Sequence, residues 1–343
     1  MTLRDVAAHA GVSPRTVSNV VNGFDHVSPG MRSRVQASLD HLNYQPNLLA
    51  RSLRQGRTGI INLFIPKIAA PYFAELAHEV VEQASLLGFT VLIDETSGLR
   101  SRELTLLDVA ARSRWVDGVL LNPLAVDSRD LAGLRRSNVP VVLLGERTGQ
   151  ATHDHVGIDN VAAARDAVRH LVASGRRRIG AVGGQAGRSD ATSRLRLKGY
   201  RSALRSAGLP VEEQLYGRAP DYTRGQAALA VRSLLDQDDP PDALVCFAAE
   251  FAVGALRELF DQGARVPADV SVVGFDDVEE CRFATPSLSS VGPDKATIAA
   301  SALELLIERM DGSLAKPRDV HVRHELIVRE SSAPAERPAT EGR

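Results

Sequence analysis

Residues 2–22 read Thr-Leu-Arg-Asp-Val-Ala-Ala-His-Ala-Gly-Val-Ser-Pro-Arg-Thr-Val-Ser-Asn-Val-Val-Asn, and the fold of the N-terminal part follows from this stretch. Apolar side chains recur at helical spacing before and after Gly11, at Val6, Ala7, Ala10, Val17, Val20 and Val21. Thr2 and Ser13 stand where a capping hydroxyl is expected, Pro14 suits a first helical turn, and Gly11 is typical of a helix end. The stretch therefore predicts two short helices joined by a tight turn.

A third helix is expected to cover these two, since two short valine faces cannot form a core alone. Ser28-Pro29 repeats the start signal, and Met31, Val35, Leu39 and Leu42 follow at helical spacing. Two interpretations fit: a generic three-helix module, or a helix-turn-helix whose second helix enters the DNA major groove. The second is favoured because Arg15, Thr16 and Asn19 occupy the face opposite the valines. Arginine and asparagine can bind guanine and adenine bidentately.

The charge distribution supports a DNA-binding N-terminal part. Residues 1–57 contain seven arginines and no lysine against three aspartates, a formal net charge of +4, whereas residues 58–343 carry −5. The net charge of −1 for the whole chain hides this asymmetry. A basic segment on an otherwise acidic protein suits a phosphate backbone.

Two motifs carry a family resemblance. Asp-Val-Ala-Ala-His-Ala-Gly-Val-Ser-Pro-Arg-Thr-Val-Ser-Asn-Val-Val-Asn, residues 5–22, resembles the DNA-binding heads of the lactose and galactose repressor family of bacterial transcriptional regulators. Asn-Tyr-Gln-Pro-Asn-Leu-Leu-Ala-Arg-Ser-Leu, residues 43–53, is similar to that family's hinge. The resemblance implies a set of DNA-contacting residues: Thr2, Ser13, Pro14, Arg15, Thr16, Ser18, Asn19, Asn22, Tyr44, Asn47, Ala50 and Leu53.

The hinge, residues 46–58, is expected to be a conditional helix. Isolated helices below about 12–15 residues are marginal in water, so the segment needs a packing partner. The resemblance supplies one: the hinge of a second subunit in the minor groove, with Leu53 wedged between base steps and Ala50 allowing close approach. The alternative is a flexible tether with an exposed Leu53.

From Gly59 the sequence alternates between apolar strand-like runs and helical patterns. Strands separated by helices predict parallel sheets, and about 270 residues suffice for two of them. Periplasmic sugar-binding proteins have this architecture, which the repressor family shares. We therefore expect an all-α helix-turn-helix head in residues 1–45, a hinge in 46–58, and a bilobed α/β effector-binding and dimerisation domain in 59–330. The polar, proline-bearing residues 331–343 are expected to form a disordered tail.

An effector site is expected between the lobes, because ligands bind at the carboxyl ends of parallel strands. Family members place an effector-contacting arginine three residues before a glycine–aromatic pair, which corresponds to Arg196. Asp276 follows an apolar strand and could accept two vicinal hydroxyl groups of a sugar. The remaining predicted effector-binding residues are Tyr72, Phe73, Asn122 and Tyr222.

The sequence also departs from the family at two pocket positions. An aspartate that is frequent in relatives is replaced by Gly145 followed by Glu146, and an Ala-Asn-Asp motif by Ala248-Ala249-Glu250. Whether Glu146 and Glu250 take over the missing contacts is left open by the sequence, as is the identity of the effector.

The sequence gives little support for a disulfide, a metal site or an enzyme active site. Cys246 and Cys281 form neither a disulfide framework nor a metal pattern, and residues 153–155, His-Asp-His, are interpreted as a loop rather than a metal site. No cofactor, no metal and no enzymatic activity are expected. No stretch approaches the roughly 20 apolar residues of a membrane span, so a cytoplasmic location is expected.

The predicted function is a sequence-specific DNA-binding repressor of carbohydrate-related genes, switched by a small polar effector. Its predicted partners are a near-palindromic double-stranded operator with a central C-G step, a sugar effector, and a second copy of the chain in a homodimer. The alternatives are a solute-sensing protein without DNA function, a purine- or nucleoside-responsive regulator, and a nucleotide-dependent α/β enzyme.

Overall fold

The computed structural model describes residues 1–21, 24, 26–44, 57–113, 115–127, 129–131, 139–146, 152–184 and 191–333. The chain divides into two compact units, Met1–Gly59 and Ile60–Arg343. The described residues of the first unit form three helices, α1 (Leu3–Ala10), α2 (Pro14–Val21) and α3 (Pro29–His41). The predicted three-helix head is confirmed.

The head is held by a small apolar core and by its caps. Val6, Val17 and Val35 are fully buried where the three helices meet. Gly11 ends α1 with φ of +63°, a conformation that glycine adopts without strain. The imidazole Nδ1 of His9 lies 3.1 Å from the Ser38 hydroxyl, so a polar contact joins α1 to α3 beside the core.

The second unit consists of two lobes, each built on a six-stranded sheet. In the N-lobe the strand order is β11-β5-β4-β3-β1-β2 and every pair is parallel. In the C-lobe the order is β12-β10-β9-β8-β6-β7, with only β10 and β12 antiparallel. The strands are β1 (Ile60–Ile65), β2 (Thr90–Glu95), β3 (Gly118–Leu121), β4 (Val141–Leu144), β5 (Asp154–Ile158), β6 (Ile179–Gly183), β7 (Tyr216–Arg218), β8 (Ala243–Cys246), β9 (Ser271–Phe275), β10 (Ser289–Pro293), β11 (Asp319–Val322) and β12 (His324–Ile327).

Helices flank both sheets. They are α4 (Pro71–Leu86), α5 (Arg100–Ser113), α6 (Asn160–Ala173), α7 (Ala191–Ser206), α8 (Arg224–Leu235), α9 (Ala249–Asp261), α10 (Glu280–Phe283) and α11 (Lys295–Met310). Each lobe has its own core. Phe247, Phe251 and Phe275 are fully buried in the C-lobe, while α11 packs Leu303 and Leu306 into the N-lobe. The predicted bilobed α/β architecture is confirmed.

The chain passes between the lobes three times, after β5, after β10 and after β11. At the first two passages an aspartate caps the helix that follows. Asp159 accepts hydrogen bonds from the amides of Val161 and Ala162 at 3.0 and 2.9 Å, and Asp294 accepts one from the Thr297 amide at 2.9 Å. These caps fix where α6 and α11 begin, and therefore which side chains enter the cleft.

Two predictions from the sequence are wrong. The His-Asp-His segment interpreted as a loop leads into β5, whose five residues are buried between β4 and β11. The polar groups that suggested a loop are neutralised there, as Asp154 pairs with Arg309 and His155 with Asp319. The predicted disordered tail also starts too early. Ser331 and Ser332 are completely buried, and Ser331 bonds to the carbonyl of Val272 at 2.6 Å.

Besides β5, four strands and one helix start were not predicted. β10, Ser-Ser-Val-Gly-Pro, consists mainly of residues typical of turns, yet all five are buried; β7, β11 and β12 are short strands at or near sheet edges. The sequence pattern predicts a helix over residues 196–207, whereas in the structure this helix, α7, begins at Ala191 and Arg196 lies in its second turn. Within the described ranges no helix is long and apolar enough to cross a membrane.

Candidate DNA-binding and effector sites

The polar side chains of the predicted recognition helix α2 differ in their solvent exposure. Arg15 is exposed, whereas Thr16, Ser18 and Asn19 are half-buried, so Arg15 reaches furthest from the core. Pro14 is exposed at the first position of the helix. An exposed guanidinium near a helix N-terminus is the geometry with which helix-turn-helix proteins contact base edges.

The hydroxyl groups at the helix starts are used for capping. The Thr2 amide donates to the Asp5 carboxylate at 2.7 Å and the Thr2 hydroxyl accepts from the Asp5 amide at 3.3 Å, which forms a reciprocal capping box. The bond from the Thr2 amide holds the pKa of Asp5 below its ordinary value. Ser13 accepts from the Thr16 amide at 3.1 Å.

The other predicted DNA contacts divide into two groups. Tyr44 is half-buried and packs against the three-helix core, which gives its ring a structural role as well. Asn22, Asn47, Ala50 and Leu53, together with most of the hinge, lie outside the described residues.

All six predicted effector residues line one cavity of about 450 Å³ in the second unit. The cavity lies at the carboxyl ends of strands from both sheets. Asn122 follows β3, Glu146 comes shortly after β4, Phe247 follows β8 and Asp276 follows β9. The topology predicts this position for a ligand.

Two aromatic side chains open helix α4 on the N-lobe side of the cavity. The rings of Tyr72 and Phe73 meet edge to face with centroids 5.2 Å apart, and both pack partly onto the N-lobe core. Phe73 therefore serves as core anchor and cavity wall at once. Burial, and next the negative charge of Asp276, raise the pKa of the Tyr72 phenol, so Tyr72 is a neutral hydrogen-bond donor.

Asn122 depends on a glycine beside it. It is 5% exposed, and Gly145 stands next to it with φ of +84°. A Cβ at position 145 would lie 3.1 Å from the Asn122 Nδ2 atom, closer than an ordinary contact. The departure from the family at Gly145 therefore makes room for the Asn122 amide.

Arg196 is the most heavily engaged side chain of the cavity. Its Nε donates to the Asn160 Oδ1 at 2.6 Å, its Nη1 donates to the carbonyl of Phe247, and its Nη2 lies 3.5 Å from the Asp276 Oδ1. The guanidinium carbon lies 4.0 Å from the centroid of the Phe275 ring. These contacts hold the guanidinium group at the cavity wall, and the charge of Asp276 neutralises it.

Asp276 adopts an unusual backbone conformation, with φ of +79°, and Asp277 follows with φ of +39°. Aspartate visits this region more readily than most residues, but such strain costs on the order of 1–3 kcal/mol and concentrates at ligand sites. The Asp276 Oδ2 accepts from the Ala249 amide at the N-terminus of α9, at 3.3 Å. The conformation thus directs the carboxylate towards both Arg196 and the helix end.

Tyr222 closes the C-lobe side. Its hydroxyl lies 3.0 Å from the Ser193 hydroxyl, and its ring stacks on Phe251 with centroids 4.8 Å apart. The ring is therefore fixed before any ligand arrives.

Asn160, which is 4% exposed and lines the cavity, was not predicted from the sequence. Recognising residues 154–158 as a strand would have found it, because Asn160 comes just after the carboxyl end of that strand. Glu146 and Glu250, whose role the sequence left open, also line the cavity. Burial, and next the charge of Asp276, raise the pKa of Glu250.

Acidic groups outnumber basic ones among the described residues that line this cavity. Its charged lining residues are Lys67, Glu95, Glu146, Arg196, Asp221, Glu250 and Asp276. Of the two cations, Arg196 faces Asp276 and Lys67 is exposed at the rim. Such a lining suits a ligand that donates hydrogen bonds and carries no negative charge. Among the described residues no group of three or more metal-ligating side chains is present.

Comparison with known proteins agrees with this geometry. Residues 2–47 match the family model of bacterial regulatory proteins, lacI family, and residues 168–332 match that of a periplasmic binding protein-like domain. The chain is 32% identical to catabolite control protein A of Priestia megaterium over 332 residues, which is 97% of this chain and 99% of the relative. The chain belongs to the lacI family.

Two solved structures of regulators resemble the chain over nearly its full length. The lac repressor dimer bound to operator and the anti-inducer ONPF is 26% identical, with a TM-score of 0.86, covering 97% of this chain and 99% of that one. A complex of the transcriptional regulator CelR with cellobiose is 32% identical, with a TM-score of 0.73, covering 96% and 99%. As a lacI-family protein, the chain is a DNA-binding transcriptional regulator with an effector domain, and not an enzyme.

Proposed function

We propose that this lacI-family regulator is a cytoplasmic, homodimeric repressor of carbohydrate-related genes, whose operator affinity is set by a neutral sugar-like effector in the cleft. The single observation that carries the proposal is the convergence of Arg196, Asp276, Tyr72 and Asn122 on one cavity. A carboxylate and an amide bind the hydroxyl groups of a sugar, and aromatic side chains pack against its apolar faces. The related CelR structure contains cellobiose, a ligand of that chemistry.

The effector is proposed to be uncharged. Glu146 and Glu250 add negative charge to the cavity lining, and the charge of Arg196 is offset by Asp276. A phosphate group would enter an acidic cavity whose described lining residues include no unpaired buried cation. Burying its negative charge there is unfavourable, because the local dielectric constant is low.

The experiment is a thermal-shift and calorimetry screen of matched pairs. Glucose, ribose and cytidine are each compared with their phosphate esters, and cellobiose is included on its own. We expect a neutral sugar to raise Tm and its phosphate ester to have no effect. Tighter binding of an ester than of its parent compound would contradict the proposed charge selectivity.

The dimer is proposed from exposed apolar side chains on both lobes. In the N-lobe Leu86, Leu92 and Trp115 are 82%, 44% and 67% exposed, and β2, which carries Leu92, is the edge strand of its sheet. In the C-lobe Leu229 and Phe283 are 55% and 78% exposed. Contiguous exposed apolar surface marks protein interfaces, and we infer that these side chains belong to such a surface. Sedimentation should show a dimer, and a monomer at micromolar concentration would contradict it.

DNA recognition is proposed to use Arg15 and Asn19 in the major groove of a near-palindromic operator. The hinge mechanism predicted for residues 46–58 stays a prediction. In it, Leu53 enters the minor groove at a central C-G step, because pyrimidine–purine steps deform most easily. Leu53→Ala should weaken operator binding far more than binding to random DNA.

A further inference from the structure

A continuous series of buried polar side chains crosses the effector cleft. The Asn160 amide group donates to Glu146, and its carbonyl accepts from the Arg196 Nε at 2.6 Å. Arg196 then faces Asp276 at 3.5 Å, and Asp276 accepts from the Ala249 amide at 3.3 Å. Glu146, Asn160, Arg196 and Asp276 are each at most 9% exposed.

This series joins the two lobes through one residue. Glu146 comes shortly after β4 of the N-lobe, whereas Arg196 lies on α7 and Asp276 follows β9, both in the C-lobe. Asn160 is the first residue of α6, directly after the passage of the chain from the N-lobe to the C-lobe. Asp159 caps α6 and thereby fixes where the Asn160 side chain starts.

The chemistry of the neighbours determines the orientation of the amide. A glutamate carboxylate only accepts hydrogen bonds and a guanidinium group only donates them. Asn160 must therefore direct its NH2 group at Glu146 and its oxygen at Arg196. An aspartate at this position would keep the bond to Arg196 but place two carboxylates against each other. An alanine would leave both neighbours without this partner.

We propose that Asn160 is a positioning residue that couples effector binding to the angle between the lobes. It orients Arg196 towards Asp276 and, in the same hydrogen-bond series, ties the N-lobe residue Glu146 to the C-lobe. A ligand that contacts Arg196 or Glu146 changes the bonding of Asn160, and with it the link between the lobes. This coupling rests on the proposed effector function of the cleft, whereas the link itself does not.

The link is tested first without any ligand, by a double-mutant cycle in the full-length protein. Asn160→Asp should lower Tm at pH 7.5, because two buried carboxylates then repel each other. Glu146→Gln in that background should restore most of the loss, since a glutamine donates to the new aspartate while Arg196 still binds it. Glu250→Gln is the matched control. It removes another cavity carboxylate, one with no hydrogen bond to Asn160 in the structure. It should therefore change Tm by the same amount in the wild-type and Asn160→Asp backgrounds.

Hydrogen exchange separates a positioning role from a general loss of stability. Asn160→Asp should increase exchange in the segments around residues 141–146 and 191–200, on both sides of the cleft, and Glu146→Gln should reverse both changes. The proposed link would be overturned if Glu146→Gln raised Tm no more in the Asn160→Asp background than in the wild type, or if Glu250→Gln showed the same excess gain in that background as Glu146→Gln.

The coupling is tested with whichever of glucose, ribose, cytidine or cellobiose binds the wild-type protein most tightly. Asn160→Ala should remove most of the ligand-induced change in DNA affinity, which in the wild type is expected to be at least about fivefold, a typical size for coupling between sites. An unchanged ligand response in this variant would overturn the role of Asn160 in coupling. If none of the four ligands alters DNA affinity in the wild type, the proposed effector function fails, and so does the coupling that rests on it. The double-mutant cycle and the hydrogen-exchange experiment would still test whether Asn160 links Glu146 to Arg196.

Discussion

Asp276 offers the sharpest test of the effector site, by replacement with asparagine. Asparagine has nearly the same shape, tolerates a positive φ, and retains an oxygen for the Ala249 amide, so the loop should keep its conformation. The substitution removes the negative charge that faces Arg196 and that would accept effector hydroxyl groups. A hydrogen bond to a charged group contributes about 1.5–3 kcal/mol. A loss of about 3 kcal/mol corresponds to roughly 100-fold weaker effector binding.

Asp277→Asn is the matched control, because it makes the same chemical change at the next residue, which also has a positive φ of 39°. The Asp277 carboxylate bonds to Arg329 at 2.6 Å and does not line the cavity. Calorimetry with the tightest-binding neutral ligand should show roughly 100-fold weaker binding for Asp276→Asn. For the control the change should stay within about threefold, as expected of an independent site. Equal losses in the two variants, or wild-type affinity in Asp276→Asn, would refute the proposed contact.

Three further predictions concern the DNA surface, the cleft carboxylate and the N-lobe. Arg15→Ala should weaken operator binding by about 1–3 kcal/mol per half-site and relax the sequence preference at one symmetric pair of operator positions, as measured in a DNA-binding array. An equal loss of affinity for all sequences, with a weaker dependence of affinity on salt concentration, would show that Arg15 contacts a phosphate instead. Since burial and Asp276 raise the pKa of Glu250 above its unfolded value, its ionisation opposes folding, and stability falls as the pH rises through the raised pKa. Glu250→Gln should therefore raise Tm at pH 8 and give little gain at pH 4, and a pH-independent change would contradict this. Asp154→Ala leaves Arg309 without its buried partner and should lower the free energy of unfolding by about 3 kcal/mol in urea titrations, with ligand affinity unchanged; a loss below about 1 kcal/mol, the range of an exposed pair, would contradict it.

Asp154 and Glu250 change the stability of the fold with pH in opposite directions. Burial alone would raise the pKa of Asp154, but hydrogen bonds from Arg309 and from the Arg318 amide outweigh it and the pKa is lowered. Ionised Asp154 therefore stabilises the fold, and this stabilisation is lost as the pH falls through the lowered pKa.

The sequence predicted most of the fold because its local signals agree with the tertiary structure. Gly11 and the capping residues of the head mark helix ends that depend only on neighbours in the chain. The apolar runs of β1, β3 and β8 are buried on both faces, as continuous apolar strands should be. For such elements, the local sequence pattern and the burial in the folded structure favour the same secondary structure.

Elements that depend on distant partners were not predictable in this way. β5 contains Asp154 and His155, and their burial makes sense only with Arg309 and Asp319, which lie more than 150 residues away in the chain. β10 is strand-like only because β9 and β12 pair with it. The same limit hid Asn160, whose role appears once Glu146 and Arg196 are seen on either side of it.

The central claim is that a ligand in the cleft changes affinity for DNA. It is tested most directly by fluorescence anisotropy of a labelled duplex, selected from random DNA by the protein itself, with and without the tightest-binding neutral ligand. The account predicts that the ligand changes the wild-type Kd for this duplex by at least about fivefold, and that Asp276→Asn removes the change without altering the ligand-free Kd. A ligand that binds the cleft by calorimetry yet leaves the Kd for DNA unchanged would contradict the account.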